Sequence, residues 1–254
     1  MIRENQELRL VTEFVLATDC NIFLTGKAGT GKTTFLGSLK SGCDKRMVVT
    51  APTGVAAINA GGVTLHSFFQ LSFGPFVPGG EQKRFFRFSR DKRELIKGLD
   101  LLVIDEISMV RADLLDGVDD VLRRLRRTSL PFGGVQLLLI GDMHQLPPVV
   151  KANEWKVLAS LYDSPYFFSS KALRKTELIP IELQHIYRQS DDTFIDLLNR
   201  VRDNNLDGEH LNRLNARHQP DRATQTARQS GTITLCTHNN RAESINKKRL
   251  ASLS

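Results

Sequence analysis

Residues 26–33 fit the phosphate-binding loop G-x-x-x-x-G-K-[ST]. The apolar segment 21–25 before the loop predicts a buried strand, and segment 34–40 after it has apolar residues at helical spacing. In such a unit, glycines let backbone N–H groups converge on a phosphate, and the helix presents its positive end to the same anion. We therefore expect Lys32 to reach the β- and γ-phosphates of a nucleotide and Thr33 to ligate Mg²⁺. A chance match in a glycine-containing turn would lack these flanks.

Composition narrows the class of protein. Of 254 residues, 41% are hydrophobic and 25% are charged, which excludes wholesale disorder. No apolar run approaches the roughly 20 residues that span a bilayer, and the polar N-terminus is unlike a signal peptide. Cys20, Cys43 and Cys236 form neither a metal spacing nor a disulfide framework, which suits a reducing compartment. A net charge of +7 permits a polyanionic partner, although excess lysine and arginine is often only a solvating surface.

Apolar segments alternate with helical patterns through residues 1–177. This alternation predicts an α/β fold with a parallel sheet that helices cover on both faces. The predicted strands are 21–25, 46–50, 101–106 and 135–141, and the predicted helices are 1–20, 34–40, 55–59 and 114–127. Residues 70–98 interrupt the pattern with turn formers, phenylalanines and a basic run, which predicts an inserted excursion with a hairpin as its simplest form.

A second unit is expected to begin at residue 178. Segments 178–183 and 231–236 have strand-like patterns, and segments 193–201 and 241–250 have helical ones. The polar segment 217–230 between them predicts a loop. Residues 178–254 are therefore interpreted as a second domain.

Polar residues follow several strands at the edge where parallel α/β sheets bind ligands. Asp105 and Glu106 end a fully apolar strand, so Asp105 is a candidate Mg²⁺ ligand and Glu106 a candidate base that activates water. Gln145 follows the next strand and is placed to sense the γ-phosphate. Arg188 follows segment 178–183 and is a candidate arginine finger. The alternatives are a solvated strand end, a loop glutamine and an ordinary surface arginine.

Six segments together resemble, in order, the motifs of the petite-integration-frequency (Pif) DNA helicases, which are 5′-to-3′ motors of superfamily one. These segments are 26–33, 50–57, 62–68, 103–109, 141–149 and 187–189. The resemblance extends over roughly residues 5–250. It implies a RecA-like P-loop NTPase domain in residues 1–177, with excursion 70–98 at the place of a wedge subdomain, and part of a second RecA-like domain in residues 178–254.

The same resemblance implies an ATP and Mg²⁺ site. Its catalytic members are Lys32, Glu106, Gln145 and Arg188, and its metal ligands are Thr33 and Asp105. The implied nucleotide-binding residues are Gln6, Gly26, Ala28, Gly29, Thr30, Gly31, Lys32, Thr33 and Thr34.

Single-stranded and forked DNA are the implied partners. The implied DNA contacts are Pro52, Thr53, Gly54, His66, Ser67, Phe68, Phe76, Thr237, His238 and Asn239. Two alternatives stay open, because His66 would also serve as a packed or capping histidine and residues 237–239 as a plain strand-to-helix turn. Phe73 is a second candidate in the excursion beside Phe76, whereas Phe85, Phe86 and Phe88 are expected to anchor it to the core.

The sequence departs from the family in its second half, where a late arginine motif and a barrel-like insertion are missing. We therefore expect an N-terminal portion of a helicase that binds nucleotide, turns it over poorly and does not unwind DNA. A nucleotide-gated DNA-binding module and a small-molecule phosphotransferase are the other hypotheses. The expected form is a monomer without membrane contact, in the cytoplasm with the nucleoid of a bacterium, or in the nucleus or mitochondrion of a eukaryote.

Overall fold

The computed structural model describes residues 5–79, 88–218 and 233–252. The chain divides into two compact units, Met1–Ser190 and Asp191–Ser254, each of which is treated by itself. Among the described residues, no helix is long and apolar enough to cross a membrane.

The described part of the first unit contains a six-stranded parallel sheet with the strand order β3-β2-β4-β5-β1-β6. Its strands are β1 (Asn21–Gly26), β2 (Met47–Ala51), β3 (Val63–Thr64), β4 (Leu101–Ile104), β5 (Gln136–Ile140) and β6 (Leu178–Leu183). Its helices are α1 (Gln6–Ala17), α2 (Lys32–Gly42), α3 (Gly54–Asn59), α4 (Leu65–Phe69), α5 (Arg90–Lys97), α6 (Ala112–Arg126) and α7 (Ala152–Leu158). The predicted parallel α/β fold is confirmed.

The sheet separates two hydrophobic clusters, because successive side chains of a strand point to opposite faces. In β4, Leu102 and Ile104 pack into one cluster, and Leu101 and Val103 pack into the other. All four residues are fully buried, as are the apolar residues of β5. Burial on both faces explains why these two segments have uninterrupted apolar sequences.

Strand β6 corrects the predicted domain boundary. It pairs in parallel with β1 along its whole length, from Asn21 opposite Leu178 to Gly26 opposite Leu183. Ile181 and Leu183 are buried in the cluster that also contains residues of α1 and α2. The segment 178–183 therefore completes the first sheet and does not begin a second domain, and the two units divide after Ser190.

The second unit contains the helices α8 (Asp192–Arg202), α9 (Gly208–Asn215) and α10 (Asn239–Ala251). The helices predicted at 193–201 and 241–250 are confirmed. Residues 219–232 lie outside the described chain. This gap contains most of the loop predicted at 217–230 and the first two residues of the strand predicted at 231–236. Residues 233–236 form no strand, and Ile233 and Leu235 are exposed, since no strand of the described chain covers them.

The excursion is described only at its two ends, because residues 80–87 lie outside the described chain. The predicted anchors Phe85 and Phe86 fall in that gap. The described flanks contain no strand of the expected hairpin. The last residues of the basic run, from Arg90 onward, form the start of helix α5. Ser89 caps this helix by accepting the Lys92 N–H at 3.2 Å, and Ile96 buries its apolar side. Phe88 is buried in the core, which confirms its predicted anchoring role.

Asp116 of α6 joins the helix to the loop 162–172. Its carboxylate accepts hydrogen bonds from the hydroxyls of Tyr162 at 2.8 Å and Ser170 at 2.5 Å. It also accepts the backbone N–H groups of Lys171 at 3.1 Å and Ala172 at 3.0 Å. All four donors would lose their partner if this buried carboxylate were removed.

We predict that Asp116→Ala lowers the free energy of unfolding by about 3 kcal/mol, because buried donors without partners are costly. Asp120→Ala is the matched control, since Asp120 is exposed on the same helix and should change stability by less than about 0.5 kcal/mol. Urea denaturation followed by circular dichroism measures both. Equal midpoints for the two variants would contradict the anchoring role of Asp116.

Candidate active site

The phosphate loop between β1 and α2 has the backbone that its glycines permit. Gly26, Gly29 and Gly31 have φ angles of +145°, +84° and +91°, which L side chains rarely adopt. Gly31 precedes the first residue of α2, so Lys32 and Thr33 lie in the positive first turn of the helix. The Lys32 ammonium donates to the carbonyl oxygens of Gly26 at 2.6 Å and Lys27 at 3.1 Å.

The loop borders an open cavity of about 350 Å³. The cavity brings together residues that are far apart in sequence but lie at the carboxyl edge of the sheet. Its lining consists of Ala28, Gly29, Thr30, Gly31, Lys32, Thr33, Thr34, Glu106, Gln145, Tyr187 and Arg188. The four predicted catalytic residues therefore share one cavity.

Two carboxylates follow β4 at this edge. Burial raises the pKa of Asp105. The hydrogen bond from the Glu106 N–H and the charge of Lys32 oppose this shift. Burial also raises the pKa of Glu106, and the neighbouring charge of Asp105 raises it further. Glu106 has the left-handed backbone angles φ 52° and ψ 43°, and its N–H donates to Asp105 Oδ1 at 3.0 Å. This left-handed backbone turns the chain from β4 into the 3₁₀ helix Ile107–Met109.

The residues present fit a magnesium–nucleotide complex. Mg²⁺ in nucleotide sites is commonly held by one or two protein oxygens together with phosphate oxygens. Asp105 is a largely buried carboxylate with one oxygen unused by the Glu106 N–H, and the Thr33 side chain borders the cavity. Within the described residues, no group of three or more His, Cys, Asp or Glu forms a separate metal site.

Gln145 is held in place by Asp142, the second residue after β5. The Gln145 side-chain amide donates to Asp142 Oδ2 at 2.9 Å, and the His144 N–H donates to Asp142 Oδ1 at 3.1 Å. Asp142 itself is buried. This hydrogen bond restrains the amide of Gln145, which lines the cavity.

The loop after β6 rests directly on the phosphate loop. The Tyr187 N–H donates to the Gly29 carbonyl at 2.8 Å, and a Cβ at Gly29 would lie 2.6 Å from the Arg188 Cβ. The Tyr187 ring lies beside Gly31, and its hydroxyl accepts the side-chain N–H of Asn5 at 3.1 Å. Only a glycine at position 29 allows Arg188 to approach so closely.

Tyr187 is a cavity residue that sequence reasoning missed, although it lies in the segment that carries the family resemblance. The available signal was an aromatic residue directly before the candidate arginine finger.

Gln6, predicted to read the adenine, is exposed at the start of α1 and does not line the cavity. Its neighbour Asn5 is buried, caps α1 by accepting the Leu8 N–H at 2.9 Å, and supports Tyr187.

The predicted DNA contacts of the first unit follow two adjacent strands. Strands β2 and β3 pair at their ends, so the loops that leave them lie side by side. Thr53 caps α3 by accepting the Ala56 N–H at 3.2 Å, and Pro52 and Gly54 flank it. In α4, His66 is half-buried and Ser67 is exposed. These residues form one local surface at the carboxyl edge of the sheet.

The structure corrects the prediction that Phe68 contacts DNA. Its ring is buried in the core, and the Lys92 ammonium covers it at 3.5 Å from the ring centroid. The helical period of α4 turns Phe68 inward while the neighbouring Ser67 faces solvent. Phe68 therefore supports the surface from below and does not contact a ligand on it.

The two other aromatic candidates of the excursion have different surroundings. Phe73 is 92% exposed, and its ring stacks on His66 with a centroid distance of 5.2 Å and an interplanar angle of 16°. Phe76 is half-buried against α6, where a Cβ at Gly117 would lie 3.4 Å from its ring. Phe76 therefore anchors the excursion, whereas Phe73 presents a free ring face.

Thr237, His238 and Asn239 belong to the second unit, where all three are exposed directly before or at the start of α10. The Thr237 hydroxyl and His238 Nδ1 are 2.9 Å apart. Their predicted role as opposing DNA contacts stays a prediction.

We predict that Glu106→Gln raises the urea midpoint at neutral pH. Because the folded-state pKa of Glu106 is raised, its ionised form destabilises the fold above that pKa, and this cost disappears as the pH falls below the ordinary carboxyl value of about 4.3. The gain should therefore shrink between neutral pH and about pH 4. Glu177→Gln is the control, since Glu177 is exposed. A midpoint for Glu106→Gln at or below that of the parent chain at pH 7 would refute the prediction.

We predict that Gly29→Ala weakens ATP binding at least about tenfold, because the added methyl group collides with Arg188 in a backbone conformation that disfavours alanine. Gly37→Ala is the matched control: Gly37 lies inside α2 with open space around it. It should leave affinity unchanged and stabilise the helix by about 0.5–1 kcal/mol. Titration with a fluorescent ATP analogue measures both affinities, and parental affinity in Gly29→Ala would argue against close contact at this position.

Comparison with known proteins places this site in a family. The family model of PIF1-like helicases matches residues 2–212. The ATP-dependent DNA helicase PIF1 of Saccharomyces cerevisiae is 40% identical over 197 residues, which make up 74% of this chain and 22% of the yeast protein. The human ATP-dependent DNA helicase PIF1 is 37% identical over 240 residues, which make up 92% of this chain and 34% of the human protein.

Solved structures agree with the sequence relatives. A Bacteroides Pif1 bound to single-stranded DNA has a TM-score of 0.87 and 41% identity, covering 96% of this chain and 56% of that protein. Two coordinating Pif1 helicases at forked double-stranded DNA were solved in a structure with a TM-score of 0.89 and 41% identity, which covers 96% of this chain and 57% of its counterpart. The first unit thus has a RecA-like fold, and the chain spans only part of the length of these relatives. With the family model matching most of its residues, the chain belongs to the PIF1-like helicase family.

Proposed function

We propose that this chain is the ATP-binding portion of an ATP-dependent DNA helicase that translocates 5′-to-3′ on single-stranded DNA. The observation that carries the proposal is the single cavity shared by the phosphate loop, Glu106, Gln145 and Arg188. The relatives that the chain matches are named ATP-dependent DNA helicases, and a Bacteroides Pif1 was solved with ADP-AlF4. The direction of translocation rests on family resemblance alone.

The hydrolytic step follows from the positions of the side chains. Backbone N–H groups of the phosphate loop and the Lys32 ammonium hold the β- and γ-phosphates. Glu106 accepts a proton from the attacking water, and its raised pKa makes it a stronger base than an ordinary carboxylate. Bound Mg²⁺, held by Thr33 and Asp105, would neutralise phosphate charge. Arg188 stabilises the negative charge on the γ-phosphate in the transition state.

Arg188 lies against the middle of the phosphate loop. Its Cβ is close to Gly29, and its side chain is exposed. A guanidinium on this backbone would contact the γ-phosphate of a nucleotide held by the loop. Gln145, which is hydrogen-bonded to Asp142 and lines the same cavity, would contact this phosphate as well and respond to its loss.

Single-stranded DNA is the proposed polymer ligand. Pro52, Thr53 and Gly54 lie beside the His66–Ser67 turn because β2 and β3 end together. Burial and the charge of Arg111 lower the pKa of His66, so its imidazole is neutral at physiological pH and suited to stacking on a base. The exposed Phe73 ring extends this aromatic surface.

A second candidate function is a nucleotide-gated DNA-binding portion with little ATP turnover and no strand separation. The chain aligns with only a part of each helicase relative, so strand separation by the whole protein is a separate question from nucleotide and DNA binding by this chain. Binding that weakens with salt and changes with ATP analogues, without unwinding of a forked duplex, would support this candidate. Vigorous hydrolysis stimulated by single-stranded DNA would exclude it.

We predict that Lys32→Ala lowers ATP affinity at least about tenfold, because the loop loses the cation that faces the phosphates. Lys27→Ala is the matched control, since Lys27 lies in the same loop but does not line the cavity.

Glu106→Gln should retain ATP and single-stranded DNA binding while hydrolysis falls at least about 100-fold. Nucleotide titration, phosphate release and fluorescence anisotropy of labelled DNA measure these changes. Normal hydrolysis by Glu106→Gln would remove Glu106 from the role of base.

A further inference from the structure

Arg111 forms a buried clamp at the start of α6, on the far side of a 3₁₀ turn from Glu106. Its guanidinium pairs with Asp113 through two parallel contacts, Nε to Oδ1 at 2.8 Å and Nη2 to Oδ2 at 2.8 Å. Nη1 also reaches Glu154 of α7 at 3.4 Å. The Arg111 side chain is 15% exposed and the Asp113 side chain 1%, so water does not compete effectively for this pair.

The clamp holds the excursion by its backbone. Arg111 Nη2 donates to the Gly74 carbonyl at 2.9 Å, and Asp113 Oδ2 accepts the Phe76 N–H at 2.8 Å. One ion pair therefore fixes both ends of the three-residue segment 74–76. The Phe76 ring completes the attachment by packing on the side of α6 that Gly117 leaves open.

The residue just before this fixed segment is Phe73. Its ring has one described aromatic neighbour, His66, and otherwise faces solvent. A phenylalanine this exposed adds little to the core, so packing alone does not explain why the backbone next to it is held by buried charges. A fixed backbone after Phe73 limits the directions in which this exposed ring can turn away from His66.

We propose that Arg111 is a positioning residue for single-stranded DNA, which acts by holding Phe73 stacked on His66 so that a base can stack on the free face of the phenylalanine. The proposal rests on the DNA-binding function proposed above. Arginine suits the task because its planar fork bonds Asp113 and Gly74 together, whereas lysine offers a single point of contact.

The test uses this chain with a single-stranded oligonucleotide that contains 2-aminopurine, whose fluorescence reports base stacking. Phe73→Ala should weaken binding about tenfold, the effect of losing one base–aromatic contact. Arg111→Lys should weaken binding to a similar extent and lower the fluorescence change at saturation. Because Arg111 acts through Phe73, the double variant should bind no more weakly than Phe73→Ala alone.

Arg46→Lys is the matched control. Arg46 makes the same two-contact pair with Asp100, at 2.8 and 2.7 Å, but lies before β2 at the opposite end of the strand. It should leave DNA affinity unchanged. If Arg111→Lys fails to fold in urea and circular dichroism controls, Asp113→Asn is measured instead, since it keeps the shape of the pair and removes its charge.

The outcomes separate the two proposals. Parental binding by Phe73→Ala, or losses that add in the double variant, would overturn the positioning role while leaving DNA binding intact. A parent chain that does not bind the oligonucleotide, with or without a non-hydrolysable ATP analogue, would overturn the proposed function itself. Equal, non-additive losses in Phe73→Ala and Arg111→Lys, with Arg46→Lys unchanged, would support the inference.

Discussion

The arrangement of the active site depends on the pairing of β6 with β1. Because the two strands are in register along their full length, they end together, and the phosphate loop and the segment 184–188 leave the sheet from adjacent points. The Tyr187 N–H then bonds to the Gly29 carbonyl at 2.8 Å, which places Arg188 against the phosphate loop. Hydrogen bonds of the sheet, rather than contacts of the arginine itself, bring the candidate finger residue to the phosphate loop.

The site concentrates negative charge at one edge of the sheet. Asp105, Glu106 and Asp142 lie within a short distance along the sheet edge, and Glu106 has its pKa raised by burial and by both neighbours. Lys32 opposes this effect, yet its ammonium is shared with two carbonyl oxygens of its own loop. A magnesium–nucleotide complex would stabilise such a site by linkage, because it would bind the folded state and not the unfolded chain.

The sequence was informative where a residue's role depends on its immediate neighbours in the chain. The apolar segments of β4 and β5 and the position of Glu106 after β4 follow from local pattern. The pattern of β6 does not identify its partner, which lies more than 150 residues earlier, so the sequence predicts the wrong unit for this strand. The prediction for Phe68 fails for a related reason: the residue lies in a matching segment, but the turn of α4 decides that Ser67 is exposed and Phe68 buried. Tyr187 is not predictable from its neighbours, because only the folded chain brings it beside Gly31.

Helix α6 anchors three segments of the first unit through buried carboxylates. Asp113, Asp116 and Asp119 are spaced by three residues, and each accepts a backbone N–H from a different segment, namely Phe76, Ala172 and Phe132. Buried carboxylates are costly unless they are hydrogen-bonded, so each one requires its segment to stay in place. Since α6 follows Glu106 after one short turn, the excursion, the loop 162–172 and the turn before β5 are all anchored to the helix next to the end of β4. The segment that carries Phe73 and the strand end that carries the candidate base are therefore both attached to α6.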